Sequence, residues 1–181
     1  ILDDVISTLC IDVTRIYISG KSNGGGFTNR LACTPDINRR VAAFGLASGA
    51  YYPQSLVGDA CKPGRPIPII LTHGDADTTV PYHGKPNNGD STEPDIDNFV
   101  EDWAERNGYS FVPTTHSKPH DQTNLWAWGG FGAPGQVKRY RVTGMGHIWP
   151  TTVVGSDKEG LSAPFNLTQQ DLLPFFEQYT L

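Results

Sequence analysis

Between a β-branched stretch and a helical pattern lies Gly20-Lys21-Ser22-Asn23-Gly24, a G-x-S-x-G that constrains the fold more than any other feature of the chain. Arg15 to Ser19 alternates apolar with polar side chains, the pattern of a strand. Phe27 to Cys33 reads as a helix, with Phe27, Leu31 and Ala32 expected on its inner side. A serine at so short a strand-to-helix turn is a nucleophile elbow. Such a turn is expected to exclude a Cβ on both flanks, hence the two glycines, and to hold the serine strained at its tip. The helix N-terminus behind it favours negative charge near the hydroxyl. Gly20-Lys21-Ser22 also imitates the end of a phosphate-binding P-loop. That motif needs a glycine five residues before Gly20, and Arg15 stands there, inside the strand.

Around this elbow the chain alternates strands and helices. Leu2 to Leu9 reads as a short helix with Val5, Ile6 and Leu9 inward. Val41 to Ser48 and Ile67 to His73 are nearly continuous apolar runs, the signature of strands covered on both faces. An acidic turn, Gly74 to Tyr82, follows the second run. Residues 95–107 read as a helix with Ile96, Phe99, Val100 and Trp103 at 3–4 spacing and Gly108 as its stop. Short strands are expected over Asn124–Trp128 and Gln136–Val142, and a terminal helix from Thr168 as N-cap. The order implies an α/β fold with a mostly parallel sheet and helices on both faces, residues 1–181 forming one domain or a large part of one. In such sheets function gathers beyond the carboxyl ends of the strands.

Three segments leave a strand with a chemically useful residue: Ser22, the Asp75/Asp77 turn, and His147. A serine hydroxyl needs a base to remove its proton during attack, and an imidazole does this near neutral pH. A carboxylate then fixes the imidazole tautomer and stabilises the imidazolium. The chain order Ser, acid, His is that of α/β-hydrolases. Either aspartate suits the acid by position; Asp75 follows Gly74 directly and can bond its own turn, whereas Asp77 can reach across. The Asn23 amide, next after the serine, is the expected oxyanion donor. Trp126 and Trp128 share one face of their strand, as core or as a platform for a sugar or phenolic ring, and Trp149, which follows His147 closely, is a third expected substrate contact. His116 and His120 have a metal-like i, i+4 spacing, but Pro113 and Pro119 deny them a helix, and a solvated loop is expected.

Bulk properties narrow the class further. A net charge of −5 over 181 residues offers no basic surface for nucleic acid. No apolar run reaches the ~18 residues of a membrane span. Nothing in the sequence asks for a cofactor or a metal. High Gly (20) and Pro (14) with few charged residues (18%) suit a loop-rich secreted enzyme. The three cysteines are Cys10, Cys33 and Cys61. Cys33 closes the elbow helix and Cys61 lies in a Pro/Gly loop, so a Cys33–Cys61 disulfide is expected in an oxidising compartment, leaving Cys10 over. The alternative is three buried thiols inside a cell. Asn166-Leu167-Thr168 is an N-glycosylation sequon. The chain opens on Ile1, so the lack of a leader carries no information.

Arg15 through Phe27, Leu31-Ala32-Cys33, Val41-Ala42-Ala43-Phe44, His73 through Tyr82 and Gly146-His147-Ile148-Trp149-Pro150 together resemble the secreted fungal feruloyl esterases of carbohydrate esterase family 1, relatives of polyhydroxybutyrate depolymerases. The resemblance implies an α/β-hydrolase fold with Ser22 as nucleophile, Asp77 as acid and His147 as base. It implies an extracellular serine esterase that cleaves hydroxycinnamoyl esters of plant cell-wall polysaccharide, with acetylxylan esterase and polyhydroxybutyrate depolymerase as related alternatives. From another class, the chain could be a silent hydrolase-like module holding carbohydrate on Trp126, Trp128, Tyr51 and Tyr52. In the family further strands precede the elbow, including the loop with the second oxyanion donor. At about 30 residues per βαβ unit, on the order of a hundred residues are expected upstream, with a partner for Cys10 among them.

Overall fold

The structure is a computed structural model that describes residues 1–155, 157 and 161–181. Six strands form one sheet: β1 (Tyr17–Lys21), β2 (Ala43–Ala47), β3 (Ile69–Gly74), β4 (Thr115–Ser117), β5 (Thr123–Trp128) and β6 (Val137–Val142). Their spatial order is β1-β2-β3-β6-β5-β4. The pairs β1–β2, β2–β3 and β3–β6 are parallel, whereas β5–β6 and β4–β5 are antiparallel. The sheet is therefore mixed: parallel from β1 through β6, as expected for most of it, with an antiparallel flank of β5 and β4. Physical reason lies in the connections: the eight residues from 129 to 136 can close a hairpin but cannot house a crossover.

All residues of β2 and β3 are buried, as their apolar runs require of strands covered on both faces. On one face, α2 (Asn23–Ala32) and α4 (Ile96–Arg106), which follows the short α3 (Pro35–Asn38) along the chain, pack over Phe44, Leu46, Ile69 and Leu71. On the other, a π-helical turn at Thr168–Leu172 and α5 (Leu173–Phe176) cover Ala43, Ile70, Tyr140 and Val142. Helix α4 begins where Asp95 accepts hydrogen bonds from the Asp97 and Asn98 amides at 2.8 and 3.3 Å, satisfying donors that a helix start leaves over. Beyond its end Asn107 bonds both the amide and the carbonyl of Ile67, fixing the helix to the approach to β3. Trp103 Nε1 donates to Asn29 Oδ1 at 2.9 Å, locking α4 against α2.

Several expectations change. Helix α2 starts at Asn23, four residues before Phe27, and buries Gly25, Gly26, Thr28, Asn29 and Ala32. With that phase Phe27 points outward and is 59% exposed. A short helix, α1 (Leu2–Thr8), buries none of its residues, and Leu9 is exposed beyond it. The terminal helix is not capped by Thr168, whose hydroxyl accepts the Trp149 indole N–H instead. The expected pairing holds, by contrast: Cys33 and Cys61 are joined in a disulfide, and Cys10 is an exposed free thiol. Among the described strands β1 is an edge, and beside it an apolar cavity of about 490 Å³ is lined by Leu2, Val5, Ile16, Ile18, Leu31 and Ile37.

Candidate active site

Ser22 sits between the last residue of β1 and the first of α2, with φ 56° and ψ −124°. Three backbone bonds hold it there: its amide donates to Ala47 O at 3.1 Å, and its carbonyl accepts from Gly26 and Ala50 at 3.1 and 2.9 Å. The positive φ is unusual for a residue with a Cβ, and it persists because these neighbours over-determine it. Gly20, Gly25 and Gly26 make the turn possible. A Cβ on them would lie 2.3 Å from Gly24 O, 2.7 Å from Gly49 Cα and 2.0 Å from Ala50 O respectively. Gly24 differs: nothing lies within 4 Å of its Cβ position. The second glycine of G-x-S-x-G is thus not required by crowding, contrary to the expectation from the motif. The Asn23 amide opens α2 and belongs to the donors a helix leaves without an intrahelical acceptor.

The turn after β3 carries Asp77 and the loop after β6 carries His147. Close backbone approach fastens the two segments. Ala76 N donates to Met145 O at 3.1 Å, and a Cβ on Gly74 would meet that same oxygen at 2.0 Å. His147 Nδ1 lies 2.7 Å from Asp77 Oδ2, and both residues are buried. Since Oδ2 can only accept, Nδ1 carries the proton and Nε2 is left free to take one. Asp77 Oδ1 accepts the amides of Thr79 and Val80 at 2.9 and 2.8 Å. Burial pushes the Asp77 pKa up, but the hydrogen bond from His147, the His73 ring N–H facing the carboxylate and the Val80 amide outweigh it and hold the carboxyl well below the usual carboxylate range. Asp75 is engaged elsewhere: Arg141 Nε approaches it at 3.2 Å and Gly144 N donates to it at 2.7 Å. Of the two candidate acids, only Asp77 bonds His147.

Ser22, Asp77 and His147 all lie at the carboxyl ends of parallel strands, β1, β3 and β6. Among the described residues Ser22 Oγ makes no hydrogen bond to His147. Indirect ties connect them. Buried Ser48, at the end of β2, donates to Ile148 O at 3.2 Å, while Ala50 in the same loop binds Ser22. Asp157 accepts from Lys21 Nζ at 2.5 Å and from Trp149 N at 3.2 Å, bridging the elbow to the histidine loop. A shallow cavity of about 290 Å³ opens beside Asn23, walled by Phe27, Arg30, Tyr52 and Gln54. Neither Ser48 nor Asp157 carries a sequence motif that points to these ties.

The aromatic expectations fare differently. Trp128 is 1% exposed, part of the core at the end of the sheet remote from Ser22, paired in register with Val137. It packs; it does not present a surface to substrate. Both faces of Trp126 are taken, one by His116 stacked at 4.7 Å and the other by the Arg139 guanidinium at 4.1 Å. No sugar ring can lie on it without displacing one of these. Tyr51 is likewise core, stacked on Phe99 at 3.8 Å. Trp149 is half-buried, with its indole N–H given to Thr168. His116 belongs to β4, and His120 pairs with Asp171 at 2.8 Å and stacks on Phe165, so the expected solvated loop is partly ordered structure. Among the described residues no group of three or more His, Cys, Asp or Glu could hold a metal ion, and no helix is long and apolar enough to cross a membrane. Asn166 uses its Oδ1 on the Gln169 amide at 3.2 Å.

No family model matches the chain. It is similar to feruloyl esterase B of Piromyces equi, 33% identical over 119 residues, which is 62% of this chain and 21% of that protein. It is also similar to the bifunctional acetylxylan esterase/xylanase XynS20E of Neocallimastix patriciarum, 25% identical over 185 residues, covering 100% of this chain and 23% of that protein. The chain thus spans less than a quarter of the length of each of these curated relatives. These similarities relate it to carbohydrate esterases.

Proposed function

We propose that the chain is the catalytic part of a secreted serine esterase acting on feruloyl esters of plant cell-wall polysaccharide. The observation that carries the reading is the buried His147–Asp77 hydrogen bond at the sheet edge where Ser22 tops its strand. In this reading Ser22 Oγ attacks the ester carbonyl carbon while His147 Nε2 takes its proton. Asp77 holds the resulting imidazolium, and the Asn23 N–H donates to the developing oxyanion. Collapse of the tetrahedral species expels the sugar alkoxide, which takes the proton back from His147. Water, deprotonated by His147, then hydrolyses the acyl-Ser22 ester and releases the hydroxycinnamic acid. No step calls on a metal or cofactor.

A second reading, an acetyl ester of xylan as substrate, is favoured by the similarity to the acetylxylan esterase/xylanase along the whole chain. We also propose that residues 1–181 are the carboxy-terminal part of a single α/β-hydrolase domain whose sheet continues past β1. The open β1 edge and the apolar cavity beside it support that proposal, since unpaired edges and apolar patches are normally covered. Turnover of methyl ferulate, p-nitrophenyl acetate and a hydroxybutyrate oligomer by the full-length protein, with and without Ser22→Ala, tests the function. Preference for methyl ferulate, lost in Ser22→Ala, is expected; activity of Ser22→Ala within tenfold of wild type sinks the serine mechanism.

A further inference from the structure

We propose that His73 is a positioning residue that sets the Asp77 carboxylate against His147; the inference rests on the catalytic reading of Ser22, Asp77 and His147. His73 is the penultimate residue of β3, paired in register with Arg141 of β6, and only 2% exposed. An imidazole placed there loses its water and must find protein partners. Nε2 lies 2.8 Å from Val80 O and 3.4 Å from Asp77 Oδ2. Both are acceptors, so Nε2 carries the proton. That N–H donates its hydrogen bond to the Val80 carbonyl, because the 3.4 Å to Oδ2 is long for an N–H···O bond. Toward Oδ2 the same N–H acts chiefly as a dipole with its positive end facing the carboxylate.

The result is a closed arrangement around one side chain. Oδ1 is held by two backbone amides, from Thr79 and Val80, and Oδ2 faces two imidazoles, those of His147 and His73. Val80 joins the two halves, donating its amide to Oδ1 and accepting from His73 at its carbonyl. The carboxylate cannot rotate about its χ angles without breaking contacts on both oxygens. The imidazole is itself wedged. Tyr82 meets it edge-on, with ring centroids 5.8 Å apart, and Tyr82 is held by its hydroxyl on Asp97 and by the Arg141 guanidinium over its ring. His73 is therefore not placed to touch a substrate; it acts through Asp77.

The test uses the full-length protein with His73→Met, which fills the space without a donor, and His73→Gln, whose amide can return an N–H to the Nε2 position. Active sites are counted by fluorophosphonate titration, so that kcat refers to folded enzyme only. His73→Met is expected to lower kcat about 10–100-fold, the scale of a misplaced catalytic group, with KM little changed. Loss of the N–H dipole leaves more charge on Oδ2 facing His147, so the acid limb of the kcat/KM profile should move to higher pH. His73→Gln should restore most of kcat and return the limb toward wild type. Wild-type kcat per active site with an unmoved limb in His73→Met overturns the proposal, as does a folded His73→Gln as impaired as His73→Met. If His73→Met does not fold, His73→Gln decides: near-normal kcat supports the role, and a tenfold loss or failure to fold overturns it. Absence of any Ser22 labelling in the wild type instead overturns the catalytic reading, and this inference with it.

Discussion

Gly20 and Gly24 flank the same serine, yet substitution by alanine should move stability in opposite directions. At Gly24 nothing lies within 4 Å of the added methyl, the residue is exposed, and its backbone is that of the second residue of α2. Alanine is favoured over glycine in a helix by about 1 kcal/mol, partly by restricting the unfolded chain. Gly24→Ala should therefore stabilise by roughly 0.5–1 kcal/mol. At Gly20 the methyl would sit 2.3 Å from Gly24 O and 2.8 Å from Thr28 Oγ1. Ordinary contact begins near 3.4 Å, so the carbonyl must retreat by about 1 Å, and with it the first turn of α2 that fixes Ser22. Overpacking of this kind costs about 1–3 kcal/mol, and because the obstacle is backbone the upper end is expected. Thermal unfolding of the full-length protein reads both changes, at about 2–4 °C per kcal/mol for a domain of this size. Gly24→Ala should gain a few degrees and keep its esterase turnover; Gly20→Ala should lose roughly 6–12 °C and most of its turnover. A neutral Gly20→Ala, or a Gly24→Ala that costs more than about 1 kcal/mol, would show that backbone approach is not what demands glycine here.

Other expectations follow from the same geometry. Replacing Cys33 and Cys61 with alanine opens a crosslink between residues 28 apart, and urea unfolding should show a loss of about 3.5 kcal/mol on the chain-entropy estimate. Asp77→Asn should lower kcat about 10³–10⁴-fold by removing the acceptor that fixes the His147 tautomer; retention of kcat would place the acid elsewhere. The folded pKa of Asp77 lies below its ordinary value, so its contribution to stability is present above that value and is lost as pH falls through the folded one. The stability gap between wild type and Asp77→Asn should then be constant above about pH 5 and shrink below about pH 4. Residues 1–181 expressed alone should aggregate through the open β1 edge and its apolar cavity; a soluble monomer with a cooperative transition and full turnover would contradict the proposal that the sheet continues.

Much of the geometry around the candidate site was legible because it depends on local chemistry. Strand, tight turn and helix around Ser22 follow from glycine placement, and the apolar runs of β2 and β3 announce burial on both faces. Phe27 misleads for a physical reason. The inner stripe of α2 opens with Gly25 and Gly26, which are buried by close backbone approach and leave no hydrophobic signature, so the first large apolar residue looks like the start of the inner face. β4 escapes because all three of its residues are exposed and its pairing with β5 is tertiary. The role of Trp126 depends on a register that sets it opposite Arg139, which spacing along the chain cannot reveal. His73 looks like the end of a strand; only the fold brings its Nε2 to the Asp77 carboxylate.

Covalent labelling tests the central claim most directly. The full-length protein is treated with a fluorophosphonate at neutral pH, and the modified residue is mapped by peptide mass spectrometry. A nucleophile activated by His147 should react stoichiometrically, with the adduct on the peptide containing Ser22, and labelling should fall away in His147→Ala and vanish in Ser22→Ala. An unlabelled Ser22 in folded protein, or equal labelling of Ser22 with and without His147, would contradict the assignment of Ser22, Asp77 and His147 as a working catalytic set.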